Sequence, residues 1–105
     1  MSKVSVIGID LAKNSFQVHG VDFQGKPVLR KTLKRSQVAP FFANLPACIV
    51  GMEACASSTY WSRVIESCGH KAKRMHPKFV KPYLMAEKND SNDAEAICEA
   101  VQRPR

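Results

Sequence analysis

The chain has 105 residues, 45% of them apolar and 24% charged, which suits one domain with a single core and excludes a disordered segment. Sixteen Lys and Arg against nine Asp and Glu leave a net charge of +7, and that excess favours a polyanionic partner, nucleic acid first. No apolar run reaches the ~18–20 residues of a membrane span and the N-terminus lacks a signal peptide's apolar stretch, so a cytoplasmic protein with no membrane contact is expected.

Residues 3–10 read as a first strand, 15–23 as a second and 27–33 as a third. The turn segments AKNS and FQGKP are short, so the three strands should form an antiparallel meander. SQVAPFFANL (36–45) follows as a short helix with a Ser cap and Pro40 near its first turn, where proline is tolerated. ACIVGME (47–53) is a fourth strand buried on both faces. SSTYWSRVIESCG (57–69) is a helix whose Tyr60, Trp61, Val64, Ile65 and Cys68 recur at helical spacing and which Gly69 stops. HKAKRMHP (70–77) is a short basic fifth strand, FVKPYLMAEKN is irregular around Pro82, and residues 90–102 are a helix with acids in its first turn. The order β-β-β-α-β-α-β-α predicts an α/β fold, a mixed five-stranded sheet with helices on its faces, as in ribonuclease H-like proteins. Fold alone assigns no chemistry.

Four cysteines (Cys48, Cys55, Cys68, Cys98) without a CxxC pair read as free buried thiols of a reducing compartment. Cys68, His70 and His76 fit no standard zinc spacing, and all three histidines are read as structural or exposed.

The carboxylates are more telling. Asp10 ends the first strand and Glu53 the fourth, each closing an apolar run instead of alternating on a wet face. If those strands are parallel neighbours, both acids emerge at one sheet edge, beyond the strand C-termini where open α/β sheets bind ligands. Asp90 and Asp93, three residues apart at the start of the last helix, share one helical face. Each has a structural alternative: Asp90 as an N-cap, Asp93 as a first-turn acid, Asp10 bonded to a turn, Glu53 paired with a lysine. Four convergent acids need a counter-charge. Hard divalent cations supply one, Mg²⁺ above all where phosphate is the other ligand, and two such ions about 3.5–4 Å apart clamp a phosphodiester.

IGIDLAKNSFQV, VGMEACASSTYW and KNDSNDAEAICEAVQRPR together resemble the three signature blocks of DEDD-type insertion-sequence transposases. These are the recombinases of the IS-one-ten family, whose N-terminal domain is similar to the junction resolvase RuvC. The resemblance implies catalytic and metal-binding roles for Asp10, Glu53, Asp90 and Asp93, with two Mg²⁺ ions or Mn²⁺ in their place. It implies metal-dependent cleavage and exchange of DNA strands at the bacterial nucleoid, guided by a structured bridge RNA, in a homo-oligomer. Family members are about three times longer, so residues 1–105 are expected to be one RuvC-like domain, incomplete at its C-terminus and without the C-terminal domain that carries the family's serine. A catalytically silent nucleic-acid-binding or assembly fragment, or a RuvC-like junction nuclease, is the alternative. A sugar-kinase-like or actin-like ATPase shares the strand order but needs glycines in its first turn, and DLAKNS has none.

Basic residues complete the reading. Lys71, Lys73, Arg74, Lys78 and Lys81 interleave with Phe79 and Tyr83 between residues 70 and 83, a pattern suited to nucleic acid. Lysines that guard an edge strand would look similar. Lys13 in DLAK and Lys88 before the acidic helix are read as further contacts, whereas LRKTLKR (29–35) is read as a solvated face and Trp61 as core.

Overall fold

A computed structural model describes residues 3–12, 14–84 and 90–103, with side chains of the last helix from Asp93 onward. Five strands form one sheet: β1 (Val6–Asp10), β2 (Ser15–Val21), β3 (Pro27–Lys34), β4 (Ile49–Glu53) and β5 (Lys71–Met75). Their spatial order is β3-β2-β1-β4-β5. β1, β2 and β3 make the expected antiparallel meander, while β4 runs parallel to β1 and β5 parallel to β4. The parallel pairings need crossovers. Helices α1 (Arg35–Ala43) and α2 (Ser58–Ser67) supply them, followed by the short helix α3 (Pro77–Val80), a 3₁₀ turn (Lys81–Tyr83) and α4 (Asp90–Gln102). The mixed five-stranded sheet flanked by helices is compatible with the ribonuclease H-like fold read from the element order.

The period-2 alternation of the strands sorts residues between two helical layers. Ile7, Ile9, Phe16, Val18, Val50 and Met52 meet Val38 and Phe42 of α1 and Trp61 and Ile65 of α2 in the main core. The opposite face carries α4, whose Ala96, Ile97 and Ala100 pack with Val80 of α3, Met75 and Leu84. Trp61 is therefore a core residue, its ring edge-on to Phe16 at 5.1 Å.

On the α4 face the two central strands present glycines side by side, since Gly8 pairs with Gly51 in the parallel register. A Cβ on Gly8 would collide with the backbone N of Cys98 and O of Ala94, and one on Gly51 would stand 2.8 Å from Val101 Cβ. The helix thus lies on the sheet at backbone distance, a contact that only glycine permits.

Local differences from the sequence reading have local causes. Phe23 leaves the second strand and is exposed, because the carboxylate of Asp22 accepts from Gln24 N–H and Lys26 N–H and turns the chain there, with Gly25 at φ +85. Ser36 is not the cap of α1. The helix starts one residue earlier, and the Gln37 side chain accepts from Lys34 N–H at 2.8 Å instead. Pro40 consequently falls in the second turn. Of the four thiols only Cys98 is fully buried, Cys48 and Cys68 being half-buried and Cys55 exposed. Gly69 ends α2 with φ +97, as a C-terminal glycine should. His70 has a structural role: its Nδ1 accepts from Cys48 N–H, and its Nε2–H donates to the Phe42 carbonyl, tying β5 to β4 and α1.

The two glycine contacts differ in what they can yield. Gly8→Ala meets backbone and Gly51→Ala a side chain, so the first should cost more, about 3 kcal/mol or above, and the second about 1–2 kcal/mol. Urea unfolding of the two variants checks the order; a Gly8→Ala chain as stable as the wild type would contradict the close approach.

Candidate functional site

Gly8 and Asp10 stand two residues apart on β1, and Gly51 and Glu53 two apart on β4, so each glycine and its acid face the same way. From the paired glycines, two steps along each strand lead to Asp10 and Glu53 at the C-terminal edge, on the α4 side of the sheet. Both are half-buried. Asp93 arrives from the other direction, one residue before the Ala94 carbonyl that lies against Gly8. The glycines therefore set how deeply the first turn of α4 sits beside the strand ends.

Electrostatics registers the proximity of two of these acids. Burial raises the Glu53 carboxyl above the ordinary carboxylate range, and the negative charge of Asp93 raises it further. Asp10 lies in the same row as Gln17 of β2 and Thr32 of β3, whose hydroxyl donates to the Gln17 amide oxygen at 2.9 Å. Among the described residues no three His, Cys, Asp or Glu side chains are grouped closely enough to hold a metal ion. The side chain of Asp90 lies outside the described residues, although its backbone opens α4.

Beside Glu53 is a cavity of about 330 Å³, which it lines with His76, Pro77, Lys78, Lys81 and Leu84. Two of the basic residues singled out from sequence thus share a cavity with a singled-out acid. His76, read from sequence as structural or exposed, is both. Its Nδ1 accepts from Lys78 N–H at 3.1 Å, capping α3, and the His-Pro pair at a helix start was the available signal.

The strip from residue 70 to 83 is not one surface. In β5, Lys71 and Lys73 pair in register with Ile49 and Gly51 and so take the α4 side. Arg74 pairs with Met52, takes the opposite side, and donates to the Thr59 hydroxyl of α2 at 2.8 Å. Lys13 and Lys88 lie outside the described residues. Buried His19 on β2 pairs in register with Gly8, and its Nδ1 has no hydrogen-bond partner among the described residues. Burial lowers its pKa, with Glu95 opposing and Arg30 adding to the shift.

No family model matches the chain. It is similar to a "Probable family 20 transposase" of Pseudomonas aeruginosa, 54% identical over 96% of this chain and 30% of that protein. A "Transposase for insertion sequence element IS1328" of Yersinia enterocolitica is 48% identical over 99% of this chain and 31% of its own length. A "Transposase for insertion sequence element IS1111A" of Coxiella burnetii is 39% identical over 98% of this chain and 28% of its own length. The chain is a homologue of insertion-sequence transposases along nearly all of its residues, and it spans under a third of the length of these relatives.

Crowding at Glu53 has a measurable sign. A carboxyl whose folded pKa is raised contributes stability that is present below its unfolded pKa and lost as pH rises through the folded one. Glu53→Gln fixes the neutral form, so in EDTA it should raise stability at neutral pH and flatten the decline that sets in as pH rises above the ordinary glutamate range. Urea unfolding across that range measures both effects; equal curves for the two proteins would place Glu53 in an uncrowded setting.

Proposed function

We propose that this chain is the RuvC-like, metal-binding part of an insertion-sequence transposase, and that Asp10, Glu53, Asp90 and Asp93 support Mg²⁺-dependent cleavage and transfer of DNA strands in transposition. The observation that carries the proposal is the placement of Asp10 and Glu53 on one face at the ends of adjacent parallel strands, with Asp93 close enough to Glu53 to raise its pKa. The homology to named transposases supplies the DNA context. Guide RNA and further copies of the chain are the partners on the same reading.

The donor set fits a hard divalent cation. All four acids offer oxygen alone, and Glu53 and Asp93 repel each other until a positive charge stands between them. When bound, the ions would activate the attacking oxygen and neutralise charge on the leaving oxygen of the phosphodiester. Asp10 and Glu53 would fix their end of the site through two neighbouring strands, which move as one rigid sheet, and Asp90 and Asp93 would complete it from the first turn of α4. Lys78 and Lys81, in the cavity with Glu53, would hold the incoming phosphates. Lys71 and Lys73, exposed on the α4 side of β5, would extend the basic track away from the acids.

Thermal-shift titration with Mg²⁺ and Mn²⁺ tests the metal site. Binding to the folded chain should raise the melting temperature, by the equivalent of about 2.7 kcal/mol at a metal concentration 100 times Kd, and Asp10→Asn should abolish most of the rise. No shift at millimolar metal in the wild type would remove the basis for metal-dependent cleavage by this chain.

A further inference from the structure

On the face of the sheet opposite the acids, near the same edge, aromatic and arginine side chains form a second cluster. Tyr60, in the first turn of α2, is 59% exposed, and its ring stands edge-on to Trp61 at 4.9 Å. The guanidinium of Arg35, at the start of α1, lies 5.6 Å from the Trp61 ring and 5.8 Å from that of Phe16. Arg63 is exposed one helical turn beyond Tyr60. Arg74 reaches the same helix from β5, where the Thr59 hydroxyl takes one of its five N–H donors and fixes the group. No acid occupies the first turn of α2, and Glu66 lies near its far end, accepting from Ala72 N–H.

The hydrophobic core explains Phe16 and Trp61 but not Tyr60. A large aromatic ring more than half exposed and flanked by arginines contributes little to packing, and three arginines within two helices and one edge strand raise the local positive potential. An anionic polymer with flat, unpaired π-faces satisfies both features at once: bases stack on the ring while the guanidinium forks meet phosphates. An acidic peptide would answer the charge but leave the ring unused.

We propose that Tyr60, Arg63 and Arg74, with Arg35 behind them, form a docking surface for single-stranded nucleic acid, in which an unpaired base stacks on Tyr60 and Arg63 and Arg74 contact phosphates. This surface lies on the opposite face of the sheet from the acids and needs no divalent metal.

The sole tryptophan of the chain, Trp61, lies against both Tyr60 and Arg35 and serves as a built-in reporter. Titrating the 105-residue chain with a labelled oligo-dT of about ten nucleotides in EDTA should quench Trp61 fluorescence saturably, in step with oligonucleotide anisotropy. Tyr60→Ala should weaken binding roughly 5- to 150-fold, the range of a lost base stack, while Tyr60→Phe should retain it. The double variant Arg63→Ala, Arg74→Ala should reduce the magnitude of the log–log salt slope by about 1.4, about 0.7 per single-strand phosphate contact. Because Tyr60 and Arg63 are exposed, these variants should fold, and circular dichroism checks that they do. The surface is overturned if Tyr60→Ala binds as tightly as the wild type with Trp61 unquenched. It is equally overturned if poly-glutamate competes at equal phosphate-to-carboxylate charge, which would make it a site for acidic peptides. Since the titration runs in EDTA, failure here leaves the thermal-shift test of the acids untouched, and the reverse holds as well.

Discussion

Helix α4 rests on the sheet at backbone distance because Gly8 and Gly51 present no Cβ to it, and the candidate site depends on that contact. Adjacent parallel strands bring the two glycines into register, which makes a shallow trough across β1 and β4. A helix seated in it cannot tilt or slide without striking the strands. Asp93, one residue before the carbonyl that touches Gly8, is therefore positioned by the same packing that stabilises the domain. Interiors packed to this density transmit displacement efficiently, so a change at either glycine would move the first turn of α4 relative to the strand ends.

The acids at that edge work against the fold. Glu53 is partly desolvated beside Asp93, and both burial and that neighbouring charge raise its pKa, so its charged form is less favourable there than in water. Nothing in the core requires a carboxylate there, since Ile7, Ile9, Val50 and Met52 already bury the strands on the opposite face. Strain of this electrostatic kind persists where surrounding packing over-determines the position, and it gathers at functional sites. The large apolar core on the α1–α2 side and the glycine-seated helix on the other keep Glu53 and Asp93 near each other despite their repulsion.

Much of this was legible in the sequence. Asp10 and Glu53 each close an apolar run, so their place at strand ends follows from the run's limits, and α4 begins and ends at the expected residues. The glycines were the signal that went unread. A Gly in the middle of an apolar strand, two residues before an acid, on two separate strands, points to a close backbone approach on the face that carries those acids. Phe23 looked like a strand residue because propensity cannot see that Asp22 accepts from two backbone N–H groups and ends the strand. Ser36 looked like a cap, but Gln37 reached Lys34 N–H first. These outcomes turn on short-range hydrogen-bond competition, which residue type alone does not decide. The grouping of side chains around Asp10 was beyond reach from sequence, because it depends on the register of three strands.

The basic strip shows how strand parity divides what composition joins. KAKRM reads as one positive run, yet a strand directs successive side chains to opposite faces, so the two lysines go with α4 and the arginine with α2. Only an edge strand tolerates charge on both faces, since a central strand would bury one set, and β5 is the last strand on its side of the sheet. Its position at the edge thus places cations on both layers of the domain. On the α4 side Lys71 and Lys73 lie back along the strand from the acid edge, level with Ile49 and Gly51. On the α2 side Arg74 is fixed to Thr59, the neighbour of the exposed Tyr60, on the opposite face from the acids. On the proposed reading, a nucleic acid strand crossing the edge of β5 would touch both surfaces, so that holding the strand and presenting it for chemistry would fall to different residues.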